Sequence, residues 1–335
     1  MMHFRAAHLF DRGIAAIAAA LGLSVLALTP ASAQNWPQRN ITLIVSQSAG
    51  ASPDVMARMI TDRLSETLKQ GVLVENKPGA DNIVGATAAA RAAPDGYTFF
   101  FATSAALVTN PFLTKSLPYD PLKDFTPVAL VTRSNQMLVA SADLPVKTLP
   151  ELIALDKKDP GKLSIAVDGP RNLAGVTALA LNKAAGTSFT LVPYPNITVG
   201  LQDVVAGRVQ LGIFSVSIAE ALIRDGKLRA IAGISANRQS AFPDLPIAAE
   251  TLPGFDLYGW FMVMAPTGTP VEIVNKMNQA IAAAAKDSRV AAMAPKLGFE
   301  IDAKGIGSPA EAAKFLVDQT ALWKKTTSDL GIERQ

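Results

Sequence analysis

Ser46-Gln47-Ser48-Ala49-Gly50-Ala51-Ser52-Pro53-Asp54 links an apolar run at 41–45 to a segment with apolar residues at Met56, Ile60, Leu64 and Leu68. Recurrence every fourth residue predicts a helix, so this small-residue loop feeds a helix N-terminus. Such a loop exposes backbone N–H groups, which together with the helix dipole favour an anion without any dedicated side chain. A plain strand-to-helix turn has a similar composition, so a second signal is needed. Thr103-Ser104, after the apolar run 97–102, supplies it with two hydroxyls at a comparable strand end. The chemistry open to these residues is capture of a negatively charged group.

Little else in the chain can react. Arg5 and Arg12, an apolar run at 13–28, Pro30 and the small residues Ala31-Ser32-Ala33 predict a leader over 1–33, cleaved after Ala33. The run is shorter than the ~20 residues of a membrane-spanning helix. His3 and His8 fall within that leader and the chain has no cysteine. The exported protein therefore lacks the usual neutral-pH base, the most reactive nucleophile and the common zinc ligands. No Ser-x-x-Lys or Gly-x-Ser-x-Gly motif is present. Gly305-Ile306-Gly307-Ser308-Pro309-Ala310 has the outline of a dinucleotide loop, but too little chain follows for the strand and acidic residue that loop requires. No catalytic residue, metal or cofactor is expected. A hydrolase built on acidic residues stays open, since no carboxylate pair is singled out.

The elements that must position these loops follow from periodicity. Strands are predicted at 41–45, 72–74 and 97–102, then in a second series at 163–167, 189–192, 209–214 and 228–234, with helices between them. This alternation implies an α/β fold with mostly parallel sheets, whose ligand sites lie beyond the carboxyl ends of the strands. Ser52-Pro53 reads as an N-cap with proline behind it, and Thr148 with Glu151 and Ser308 with Glu311 read as capping boxes. Crossings between two domains are expected near 128–132 and along 257–265. The whole chain has 31 Lys and Arg against 28 Asp and Glu, with no run of like charge, so nucleic acid is not an expected partner.

Several motifs carry a family resemblance. They include Trp36-Pro37, Asp54-Val55-Met56-Ala57-Arg58, Val74-Glu75-Asn76-Lys77-Pro78-Gly79-Ala80 and Ala93-Pro94-Asp95-Gly96-Tyr97-Thr98. Further along come Leu117-Pro118-Tyr119-Asp120-Pro121, Val192-Pro193-Tyr194, Gly226-Lys227-Leu228-Arg229-Ala230, Pro253-Gly254-Phe255 and Gly268-Thr269-Pro270. In these the chain resembles the Bug family of solute-binding proteins, which serve tripartite tricarboxylate transporters. The resemblance implies a type II periplasmic binding protein, with lobe 1 at 34–130 and 258–335, lobe 2 at 131–257, and two crossover strands. It further implies a monomeric, non-enzymatic periplasmic receptor that passes a small organic carboxylate to integral-membrane permease subunits. An exported hydrolase and a ligand-binding module for a periplasmic sensor are the competing readings.

By the same resemblance, the ligand site comprises Gln47, Ser48, Ala49, Gly50, Ser52 and Asp54 with Thr103 and Ser104 from lobe 1. Asp168, Gly169, Arg171 and Asn172, with Tyr194, Asn196, Phe214 and Ser215, come from lobe 2. The chain departs from the family pattern around this site: one glycine fewer in the first loop, a shortened Asp168-Gly169-Pro170-Arg171-Asn172 loop, Pro195-Asn196 for lysine-glycine, and Phe214 for an acid. Loss of that acid removes a partner for an ammonium, and an aromatic face suits an apolar body. The expected ligand is thus a carboxylate without an amino group, a di- or tricarboxylate or an aromatic acid, with Arg171 as a candidate contact.

Overall fold

A computed structural model describes residues 36–334; the leader assigned to 1–33 and its cleavage site lie outside them. The chain runs β1 (Ile41–Val45), α1 (Ser52–Leu68), β2 (Val72–Asn76), α2 (Ile83–Ala90), β3 (Thr98–Thr103), a π-helical turn (Ala105–Thr109), α3 (Asn110–Leu113) and β4 (Phe125–Ser134). It continues through β5 (Gln136–Ser141), α4 (Leu149–Lys158), β6 (Ser164–Val167), α5 (Leu173–Ala185), β7 (Thr190–Pro193), α6 (Ile197–Val205), β8 (Leu211–Ser215), α7 (Val216–Arg224) and β9 (Leu228–Gly233). It closes with β10 (Gly259–Pro266), α8 (Val271–Ala285), α9 (Ser288–Met293), β11 (Phe299–Glu300) and α10 (Pro309–Leu330).

Two sheets result, ordered β11-β4-β10-β3-β1-β2 and β7-β6-β8-β5-β9. The parallel pairing expected from α/β alternation holds where a helix returns the chain, between β1 and its neighbours β2 and β3 and between β6 and its neighbours β7 and β8. Elsewhere the sheets are mixed. β10 runs antiparallel to both β3 and β4, and β5 antiparallel to both β8 and β9, because these strands enter from the other sheet and not over a helix of their own. The chain passes from the first sheet to the second at Asn135 alone, and returns through residues 234–258.

The strands read as near-continuous apolar runs because helices cover both faces. In β5, Leu138 and Ala140 join one core with Ile165, Leu181 and Ile213, while Met137 and Val139 join another with Leu201, Phe214 and Val216. The first sheet packs Phe100, Trp260 and Met262 against Leu316 and Trp323 of α10, where Trp260 Nε1 donates to Gln319 Oε1 at 3.1 Å.

The capping boxes form largely as expected. Thr148 Oγ1 accepts from Glu151 N, and Ser308 and Glu311 bond reciprocally at the start of α10. Ser52 differs: Ala51 is the residue before α1, and Ser52 already lies in the helix. Its hydroxyl is 3.1 Å from Ser134 Oγ and so does not cap. Asp54 closes that end instead, its Oδ2 accepting from Gly50 N at 2.9 Å.

Candidate functional site

The loops after β1, β2, β6 and β7 converge at the carboxyl ends of their strands, the position α/β topology favours for a ligand. They wall a cleft of about 470 Å³, with Ser46 to Ser48, Pro78 to Asn82, Asp168 to Pro170 and Pro193 to Ile197 among its lining. Beside it lies a cavity of about 50 Å³, with Ser52, Thr103, Ser104, Ser134, Gln136, Phe214 and Ser215 among its lining. Gln47 and Asp168 face both spaces.

Three helices begin on the smaller cavity. Ser52 and Pro53 open α1, Leu173 and Ala174 open α5, and Ser215 precedes α7; all five residues line it. Helix N-termini carry partial positive charge and unpaired N–H groups, and hydroxyls add adaptable donors. The arrangement can hold an anion with no lysine or arginine in the wall.

The expected loop residues play different parts. Ala49 and Gly50 are exposed at the tip of their loop, and Asp54 turns away from the cleft to pin that loop. Its carboxylate accepts from Gly50 N, from Arg58 Nε at 3.0 Å and from Asn76 Nδ2 at 2.9 Å. Burial alone would raise the Asp54 carboxyl, but these hydrogen bonds outweigh it and hold it below the ordinary value. Asp54→Ala leaves the Gly50 and Asn76 donors without that acceptor and is expected to cost about 2 kcal/mol in urea unfolding at pH 7. A depressed carboxyl stabilises the fold above its unfolded value, so the deficit should shrink as pH falls below about 4.

Across the cleft, Arg171 is spent on Asp81. Its Nε and Nη2 both reach Asp81 Oδ2 at 2.8 Å, and the two side chains are only 19% and 10% exposed. Burial lifts the Asp81 carboxyl above its ordinary value despite the pull of Arg171. Beside this pair runs a chain of amides: Ser46 Oγ donates to Asn82 Oδ1 at 2.8 Å, Asn82 Nδ2 to Asn172 Oδ1 at 2.5 Å, and Asn172 Nδ2 to Asp168 O at 2.9 Å. Gln47 Nε2 donates to Asp168 Oδ2 at 3.3 Å and Ser48 Oγ to the Pro195 carbonyl at 3.4 Å. Tyr194 turns its hydroxyl to Asp203, and Asn196 accepts from Thr198 N at the start of α6.

Asp81 and Asn82 are absent from the sequence expectation, as are Ser134 and Gln136. The loop that carries Asp81 is unusual: Gly79, Ala80, Asp81 and Asn82 have φ of 131°, 47°, 52° and 77°. Left-handed backbone costs a residue other than glycine about 1 kcal/mol and persists only where surroundings enforce it. Asn110 Nδ2, donating to the Asp81 carbonyl at 2.7 Å, is one such restraint. Only the motif ending at Ala80 signalled this loop.

Known proteins carry the same architecture. The model of the tripartite tricarboxylate transporter family receptor matches residues 56–332. The chain belongs to this receptor family. Among its relatives, a UPF0065 protein of Bordetella bronchiseptica is 34% identical over 311 residues, covering 93% of this chain and 91% of that one. Protein BugT of Bordetella pertussis is 32% identical, covering 90% and 92%. Rpa4515 of R. palustris, solved with adipate, superposes with a TM-score of 0.86 at 31% identity, covering 90% of this chain and all of the other. MatC of Rhodopseudomonas palustris, solved with malate, gives 0.81 at 32% identity, covering 87% and 99%. The receptor thus has the two-lobe fold of periplasmic binding proteins, and its family binds solutes and is not enzymatic. No helix among the described residues is long and apolar enough to cross a membrane.

Proposed function

We propose that this receptor, exported by removal of residues 1–33, works in the periplasm as a monomer that captures a small organic carboxylate for the permease subunits of a tripartite tricarboxylate transporter. The two lobes, 34–130 with 258–335 and 131–257, grip the solute between them. Its carboxylate sits in the smaller cavity among the hydroxyls of Ser52, Thr103, Ser104 and Ser215, and its body extends past Phe214 toward Gln47, Tyr194 and Asn196. The observation that carries this reading is the convergence of three helix N-termini on one small cavity. The adipate and malate held by two relatives of similar fold support the solute class. Phe214, fully buried, brings no carboxylate to the cavity it lines, and this favours an acid without an amino group over an amino acid.

A thermal-shift panel of mono-, di- and tricarboxylates, aromatic acids and amino acids tests it. A solute at a hundred times its Kd adds about 2.7 kcal/mol to the folded state and should raise Tm by several degrees without turnover. A flat response across the carboxylates, or release of product from any of them, would refute the reading.

A further inference from the structure

One group does not fit a plain anion seat. Asp168 stands between the cleft and the smaller cavity, next to the N-termini that make the cavity suited to a negative charge. Its Oδ2 accepts from Gln47 Nε2, while Oδ1 is buried and has no hydrogen-bond partner. An ionised carboxylate there would face a bound carboxylate at close range, and repulsion between the two favours keeping one of them protonated.

The charged surroundings leave little to hold Asp168 ionised. From the loop after β2 comes Asp81, a second carboxylate, whose nearest cation is Arg171 on the loop of Asp168 itself. The loop after β1 supplies the neutral Gln47, the start of α6 Ile197, and β8 Ile213, Phe214 and Ser215. Thr103, Ser104, Ser134 and Gln136 on the opposite wall are uncharged. Backbone N–H groups of Asp168 and Ala174 favour the anion, but burial first and Asp81 second prevail and push the carboxyl up to about 7.

We infer that Asp168 meets its solute as a neutral acid, its carboxyl O–H donating to a carboxylate oxygen of the bound solute, so that capture takes up a proton wherever the empty site is ionised. This rests on the carboxylate reading above and sharpens it: the residue selects an acceptor at that point and rejects an ammonium only while it keeps its proton. The proton comes from solvent, stays on Asp168 while the solute is held, and returns on release. A buried acid held neutral so that it can donate is an established device for binding oxyanions.

Calorimetric titration of the whole protein with adipate, malate and benzoate at about pH 6.5 and 8.5 tests the inference, since these carboxylates stay ionised throughout most of that range. One-proton linkage predicts a Kd that rises on the order of tenfold between the two pH values, with proton uptake visible as a dependence of the heat on buffer. Asp168→Asn, which offers an N–H at the same place, should bind with little dependence on pH. It should also melt higher than the parent by a margin that grows from pH 5 to 7.5, because a raised carboxyl costs stability as pH rises through that window. Asp168→Ala, with no donor, should weaken binding about tenfold at the lower pH. A carboxylate whose Kd is flat or improves toward pH 8.5 overturns the neutral-acid role and leaves the carboxylate reading intact. Binding of none of the three probes at either pH, with amino acids binding instead and Asp168→Asn abolishing that binding, overturns both.

Discussion

Arg171→Ala is expected to weaken carboxylate capture at least tenfold although the guanidinium points at Asp81 and not into either cavity. Removing it strands the Asp81 carboxylate, nine-tenths buried, where breaking a pair costs about 3 kcal/mol because one charge is left uncompensated. That loss falls on the contact between the loops at 78–82 and 168–172, so the cleft must assemble without one of its ties. The double variant Asp81→Ala/Arg171→Ala should recover about 2 kcal/mol of the combined loss, since no lone buried charge remains. Titration calorimetry and a denaturant-unfolding cycle read the two effects separately. An unchanged Kd in Arg171→Ala would show that this ion pair does not tie the cleft.

Gly175→Ala is expected to destabilise the protein by about 3 kcal/mol, against a gain of about 1 kcal/mol for the same exchange in an unencumbered helix. The sign reverses because α5 packs its first turn onto the loop before it. An added Cβ would lie 2.2 Å from the Gly169 carbonyl and 2.7 Å from Pro170 Cα, both backbone atoms that cannot turn aside. Gly169 has its own constraint, a φ of 139° and a would-be Cβ 1.9 Å from Asp81 Oδ1. The shortened loop is therefore possible only with glycine at both places. Urea unfolding at pH 7 checks the result; a Gly175→Ala variant as stable as the parent would contradict this packing.

The architecture was legible wherever it depended on neighbours in sequence. Apolar runs located β1, β3, β6 and β8, and the boxes at Thr148 and Ser308 fixed the starts of α4 and α10 because each closes within four residues. β5, at 136–141, was not expected at all, and the direction of β10 was not legible, since it is set by which sheet the chain arrives from. The same limit applies at the site. The small-residue loops and hydroxyls line one cavity as expected, but Arg171 met a partner 90 positions away, and no local pattern encodes that meeting. Ser52 reads as a cap until the Ser134 hydroxyl is seen beside it. Asp168 looks like an ordinary loop acid, and only the sheets packed around it reveal that its Oδ1 is buried without a partner.

The two connections between the sheets lie side by side, where Gly259 pairs with Ser134. Asn135 is a single residue gripped from three sides, its N donating to the Gly298 carbonyl, its carbonyl accepting from Val216 N and its amide donating to Glu300. The return segment at 234–258 folds back onto the second sheet, Ala248 and Phe255 joining its core and Leu257 N donating to the Ile234 carbonyl, so the chain leaves that sheet close to where it entered. Any rotation of one sheet against the other therefore pivots close to Asn135, whose neighbours Ser134 and Gln136 line the smaller cavity. Near a pivot, displacement is small. A ligand site placed there is the one such a swing would disturb least.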